Sequence, residues 1–180
     1  SLDDWALEPA RPDWAGGLRD FWEAGTAAAL DRFDTFLDVV SEYADDRNLP
    51  SVAGSSQMSP HLHFGEISPR QLWDRMSRHS SQGAQTFRAE LLWRDYAQNV
   101  IMQFPHYAEE SYRDGYDDGL WRNPNRGHLI AEDLAAWQQG RTGYPIVDAG
   151  MRQLWQTGWM HNRVRMIAAS FLVKHLLIDW

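Results

Sequence analysis

The chain has 180 residues, 25 acidic against 17 basic side chains, a formal charge of −8 and no cysteine. One good core fits that length, so a single domain is the expectation; the missing cysteines exclude a disulfide frame and a zinc–thiolate centre. No run is long and apolar enough to span a membrane, and the acidic, polar start lacks a signal peptide's marks, so a soluble, cytoplasmic protein without a membrane partner is expected.

The acidity is uneven. Residues 1–48 hold 12 acids and 4 arginines, residues 49–180 hold 13 of each sign, and from Arg141 onward 5 bases face 2 acids. An acidic chain can therefore still carry a local basic groove. Sixteen of the 17 bases are arginine, which suits planar, bidentate contacts. Ten tryptophans supply flat, stackable rings, most of them for packing.

Residues 1–24 combine proline, a glycine pair and scattered tryptophans without a sustained period, and read as an entry or linker segment with little regular structure. No initiator methionine begins them. Thr26 to Asp46 is predicted as one helix with Thr26 as N-cap and Leu30, Phe33, Phe36, Leu37, Val40 and Tyr43 as its apolar stripe. Residues 51–69 form a loop in which Ser55, Ser56, Gln57, Met58 and Ser59 follow Gly54. Its hydroxyls and successive N–H groups could cradle a phosphate, or the stretch could be an ordinary loop. His61 and His63 have no third ligand at suitable spacing, so no metal site is expected. Ser68 and Pro69 open a short helix running to about His79.

Ala84 to Phe104 is a strong helix stopped by Pro105. Its spacing predicts an i,i+4 ion pair between Glu90 and Arg94; with Trp93 between them, the same face would also make a stacking platform for a base. Leu129 to Gln139 is helical, and Tyr144-Pro145 starts a helix leading to Gly158. From Met160 to Ile178 the pattern reads as one long buried helix, although its first turns carry Asn162, Arg163 and Arg165. Asn162, Arg165, Met166 and Ala169 share a face. That face is either a pocket wall for a large polar ligand or a helix start whose arginines reach surface carboxylates. No alternating strand pattern appears, and the expected architecture is all-α.

Three segments, SSQMSPHLHFGEISPRQLW at 55–73, FRAELLWRDYAQN at 87–99 and AWQQGRTGYPIVDAGMRQLWQTGWMHNRVRMIAASFLVKHLLIDW at 136–180, give the chain its resemblance. It resembles the helical flavin-binding domain of DNA photolyases and cryptochromes, and GWMHNRVRM looks most like the class I-type photolyases of cyclobutane pyrimidine dimers. The resemblance implies a domain over residues 25–180, truncated at its C-terminal side and lacking the family's N-terminal α/β antenna domain. It implies FAD, with a folate or deazaflavin antenna pigment elsewhere in the parent protein. The implied reaction is light-driven repair of pyrimidine dimers by electron transfer from reduced FAD. The implied partner is damaged DNA with the dimer flipped into the site of a monomeric protein.

Residue by residue, the resemblance assigns Tyr43, Ser55, Ser56, Gln57, Met58, Ser59, Phe87, Arg94, Asn162 and Arg165 to the cofactor. It assigns Glu90, Trp93, Asn162, Arg163 and Met166 to the lesion, and Trp180 and Trp121 to electron relay. A cryptochrome-like blue-light signalling protein is the second reading. A helical module without cofactor is the third.

Overall fold

The computed structural model describes residues 2–7, 11–111, 113, 115 and 119–179. Among them the regular structure is helical, with no strand. Two compact units emerge: Ala24–Arg122, and Ser1–Glu23 together with Asn123–Asp179.

Unit Ala24–Arg122 begins with α2 (Thr26–Leu37), following α1 (Gly16–Phe21) of the other unit. Gly25, not Thr26, is the N-cap; the Thr26 hydroxyl donates to the Glu66 carbonyl at 2.8 Å instead. The single helix predicted over 26–46 breaks after Leu37 into turns and restarts as α3 (Tyr43–Asp46). The apolar stripe survives the break because the turns keep Val40 and Tyr43 on the inner side. Next come α4 (Ser59–His63), α5 (Pro69–Met76) and α6 (Gln82–Gln103). Ser68 and Gln71 close a reciprocal capping box on α5, as Ser68-Pro69 predicted. Ser81 accepts from the Ala84 N–H and caps α6.

The core of this unit joins Ala29, Phe33, Phe36, Val40, Tyr43, Met58, Ile67, Leu72, Met76, Ala84, Phe87 and Leu91. At its centre the Phe36 ring lies 5.1 Å from Phe87 and 5.2 Å from Tyr43. Each such fully buried side chain contributes about 1.5–3 kcal/mol. Gly83 lets α6 come close: a Cβ there would lie 1.8 Å from the Val40 carbonyl oxygen.

The other unit contains α1, α7 (His128–Gln138), α8 (Pro145–Thr157) and α9 (Asn162–Ser170), then a π-helical turn, Phe171–His175. Helix α1 forms where the sequence shows no period, packed on α8 with the Trp22 indole N–H donating to the Thr157 carbonyl at 2.6 Å. Pro145 occupies N1 of α8, and Gly158 ends it at φ 70°, a left-handed cap that glycine adopts without strain. Val147, Met151, Met160, Val164, Ala168 and Phe171 form the core.

The long buried helix predicted from Met160 to Ile178 is corrected. α9 ends at Ser170, the π turn follows, and Leu177 adopts φ 53°. Only one stripe of α9 is buried, Val164 and Ala168, while Met166 and Ile167 are exposed. High apolar content reflected an uncovered surface rather than burial all round.

Candidate functional site

Within Ala24–Arg122 the fold brings Tyr43, Phe87 and Glu90 together. Tyr43 is buried edge-on to Phe87, with ring centroids 5.8 Å apart. Burial pushes its hydroxyl pKa up, partly offset by the charge of Arg47 and reinforced by Glu90, so it stays a protonated donor at neutral pH. Phe87 is packed among Phe33, Phe36 and Tyr43.

Glu90 pairs with Arg47 at 2.6 Å, not with Arg94 as the four-residue spacing suggested. Arg94 donates to the Leu62 carbonyl at 3.3 Å. The tertiary partner prevails because Arg47 also lies over the Tyr43 ring, 5.4 Å from its centroid. One turn beyond Glu90 on α6, Trp93 is 62% exposed, its ring nearly perpendicular to that of Tyr96 with centroids 5.7 Å apart. A large indole so placed is available for contact.

The serine loop is held from three sides. Gly54 is pressed on α3, where a Cβ would lie 2.4 Å from the Asp46 Cβ. Met58 is buried in the core, its N–H donating to the Ser56 hydroxyl at 3.4 Å. Gln57 has φ 53°, a left-handed conformation costing about 1–2 kcal/mol, and its side-chain oxygen accepts from Arg32 Nη1 at 2.8 Å. Ser55, Ser56 and Gln57 are half-exposed; Ser59, exposed, is the first residue of α4. Just beyond, the buried His61 ring meets Glu66 at 2.5 Å, and Glu66 accepts from the Gly25 N–H at 2.8 Å.

On α9 the fold brings Asn162, Arg163, Arg165 and Met166 together, all exposed. The buried arginines implied by an all-round apolar helix are therefore solvent-facing. His161, itself buried, caps the helix by accepting from the Arg163 N–H at 3.2 Å. Arg163 Nη1 reaches the Met166 sulfur at 3.6 Å. Behind this face, Trp137 donates to the Ala168 carbonyl at 2.9 Å and fixes α7 on α9.

Trp121 is half-buried. Trp180 lies outside the described residues. Sequence reasoning missed Arg47, Arg32 and Asp148. Arg47 had a signal, its i,i+4 spacing from Tyr43; Arg32 had none, because its partner is 25 residues away. Asp148, buried in the first turn of α8, accepts from the Thr142 hydroxyl at 2.6 Å and from the Thr142 and Gly143 N–H groups at 2.7 and 2.9 Å, locking the turn ahead of the helix.

A family profile described as the FAD binding domain of DNA photolyase matches residues 87–180. The deoxyribodipyrimidine photo-lyase of Agrobacterium fabrum is 46% identical across 99% of this chain and 37% of its own length. The Escherichia coli protein of the same name is 44% identical across 77% of this chain and 29% of its own length. Among solved structures, a bacterial class III photolyase from Agrobacterium tumefaciens superposes with a TM-score of 0.91 at 46% identity, covering 100% of this chain and 37% of that one. A Synechocystis cryptochrome gives 0.71 at 32% identity, covering 88% and 34%. The chain spans about a third of the length of the curated relatives it matches. On the profile match and the agreement of fold, the chain belongs to the family of FAD-binding domains of DNA photolyases.

Proposed function

We propose that this chain is the part of a light-driven DNA repair enzyme that holds FAD and presents the lesion-facing side chains. The observation that carries the reading is the open face of α9: an amide, two arginines and a methionine left uncovered on a helix whose opposite stripe is core. Exposed arginines suit the phosphates of a DNA strand, and Asn162 suits a base or flavin edge.

The serine loop has the chemistry for the group's diphosphate. The serine loop offers hydroxyls and N–H groups beside the Arg32 guanidinium, and Gly54 lets the backbone lie close against α3. In this reading Tyr43 and Ser55, Ser56, Gln57, Met58 and Ser59 take the diphosphate and ribityl chain, Phe87 and Arg94 of the same unit are further cofactor residues, and Asn162 and Arg165 are proposed as the cofactor residues of the other unit. When bound, reduced FAD supplies the photoexcited electron that opens a pyrimidine dimer. Glu90, oriented by Arg47, accepts a hydrogen bond from the lesion and Trp93 packs against it; on the other unit Met166 is proposed as a lesion residue. Arg163 holds the damaged strand. Photolyases belong to the enzymes that extrude their target nucleotides, and a damaged, poorly stacked pair is the cheapest to extrude. Trp180 and Trp121 are proposed as the electron relay.

The likeness to a cryptochrome supports a second reading, a blue-light signalling protein on the same fold. Visible absorption of the purified protein with added FAD tests the first step. A structured flavin spectrum supports the reading, and a protein that takes up no flavin refutes it. Flavin photoreduction without dimer repair would favour signalling.

A further inference from the structure

Gln57 stands mid-loop with φ 53°, a backbone conformation that a residue with a side chain keeps only where its surroundings fix it. Met58 anchors one end of the loop in the core and Gly54 the other against Asp46. Between them, α2 contributes a tie: Arg32 Nη1 donates to Gln57 Oε1 at 2.8 Å in a half-buried setting. Relaxing Gln57 to an ordinary φ would turn the peptide joining it to Ser56, and with it the Gln57 N–H. The tie therefore governs where the loop's donors point.

The geometry points to Arg32 as the positioning residue for the cofactor's diphosphate: through Gln57 it holds the Ser55–Ser59 backbone in its phosphate-accepting shape. This rests on the reading that the loop takes FAD. Arg32 acts through Gln57 and need not touch the ligand.

The test is a fluorescence titration of the intact protein with FAD and with riboflavin, which shares the ring system and lacks the diphosphate. Arg32→Met keeps the apolar stem and removes the tie. It should weaken FAD about tenfold, the loss of one hydrogen bond's contribution, and riboflavin by less than about twofold. Gln57→Gly adopts the left-handed backbone without a tether, so on that background Arg32→Met should cost little. That comparison decides the matter even where riboflavin binds too weakly to titrate. An unchanged FAD affinity, equal losses for both ligands, or a full loss persisting on the Gln57→Gly background would overturn the role. Arg32→Gln gives the same comparison should Arg32→Met not fold. A wild-type protein that takes up no FAD would overturn the underlying reading of the loop, and the role with it.

Discussion

Arg47 and Glu90, 43 residues apart, meet at 2.6 Å and join the end of α3 to the middle of α6. The pair ties a residue expected at the lesion to the aromatic cluster beneath it, since Arg47 also covers Tyr43. Because both side chains are half-buried, the bond outweighs a surface ion pair. Arg47→Met should cost about 1–2 kcal/mol in urea unfolding and lower affinity for dimer-containing DNA more than for undamaged DNA. Equal loss for both DNAs would assign Arg47 to general electrostatics.

Trp93 separates contact from packing. With 62% of its surface exposed, Trp93→Ala should change stability by no more than about 0.5 kcal/mol. Binding to a dimer-containing oligonucleotide should weaken by about 1–3 kcal/mol, the range for a lost ring–base stack. A large drop in stability with unchanged DNA affinity would return this indole to the core.

The close approach of α6 to the turn at Val40 predicts a cost for any side chain at position 83. Gly83→Ala places a Cβ 1.8 Å from a backbone oxygen, which cannot swing away as a side-chain tip could. Unfolding should be easier by about 1–3 kcal/mol, with the near-ultraviolet signal of the neighbouring aromatic cluster altered. An unchanged melting temperature would contradict this packing.

Two carboxylates predict acid sensitivity. Hydrogen bonding from the His61 ring and from the Gly25 N–H holds Glu66 below the ordinary carboxylate range. Burial pushes Asp148 up, but the Thr142 hydroxyl and N–H, the Gly143 N–H and the charge of Arg152 outweigh it and leave it low. With folded values depressed, the unfolded chain binds more protons. Their stabilisation is complete above the unfolded value near pH 4 and is lost as pH falls through the folded values. Asp148→Asn should flatten that acid limb and cost about 1–3 kcal/mol at pH 7, read by urea denaturation at pH 7 and again at about pH 3, below the unfolded carboxylate values.

Much of the fold was legible because its signals are local. Ser68-Pro69 and Tyr144-Pro145 mark helix starts by capping chemistry, and Gly158 marks an end, whereas the Ser81 cap, which starts α6 two residues before the expected Ala84, was not read. The break after Leu37 was hidden because the turns preserve the apolar stripe through Val40 and Tyr43. The extent of α9 was overread because the exposed Met166 and Ile167 have the same composition as a core. At the candidate site, motif spacing singled out Glu90, Trp93 and the α9 face. It misassigned the partner of Glu90, since a tertiary contact leaves no mark at fixed spacing. The Arg32–Gln57 tie was hidden for the same reason.

Light-driven dimer repair is the activity we propose for the protein that carries these residues. Its most direct test is an oligonucleotide carrying one pyrimidine dimer, incubated with the intact protein in its reduced, FAD-loaded form, in blue light and in darkness. The account predicts that the dimer disappears in the light and persists in the dark, and that the light-dependent loss falls in Trp93→Ala. A protein that binds FAD and damaged DNA yet leaves the dimer intact under illumination would contradict it.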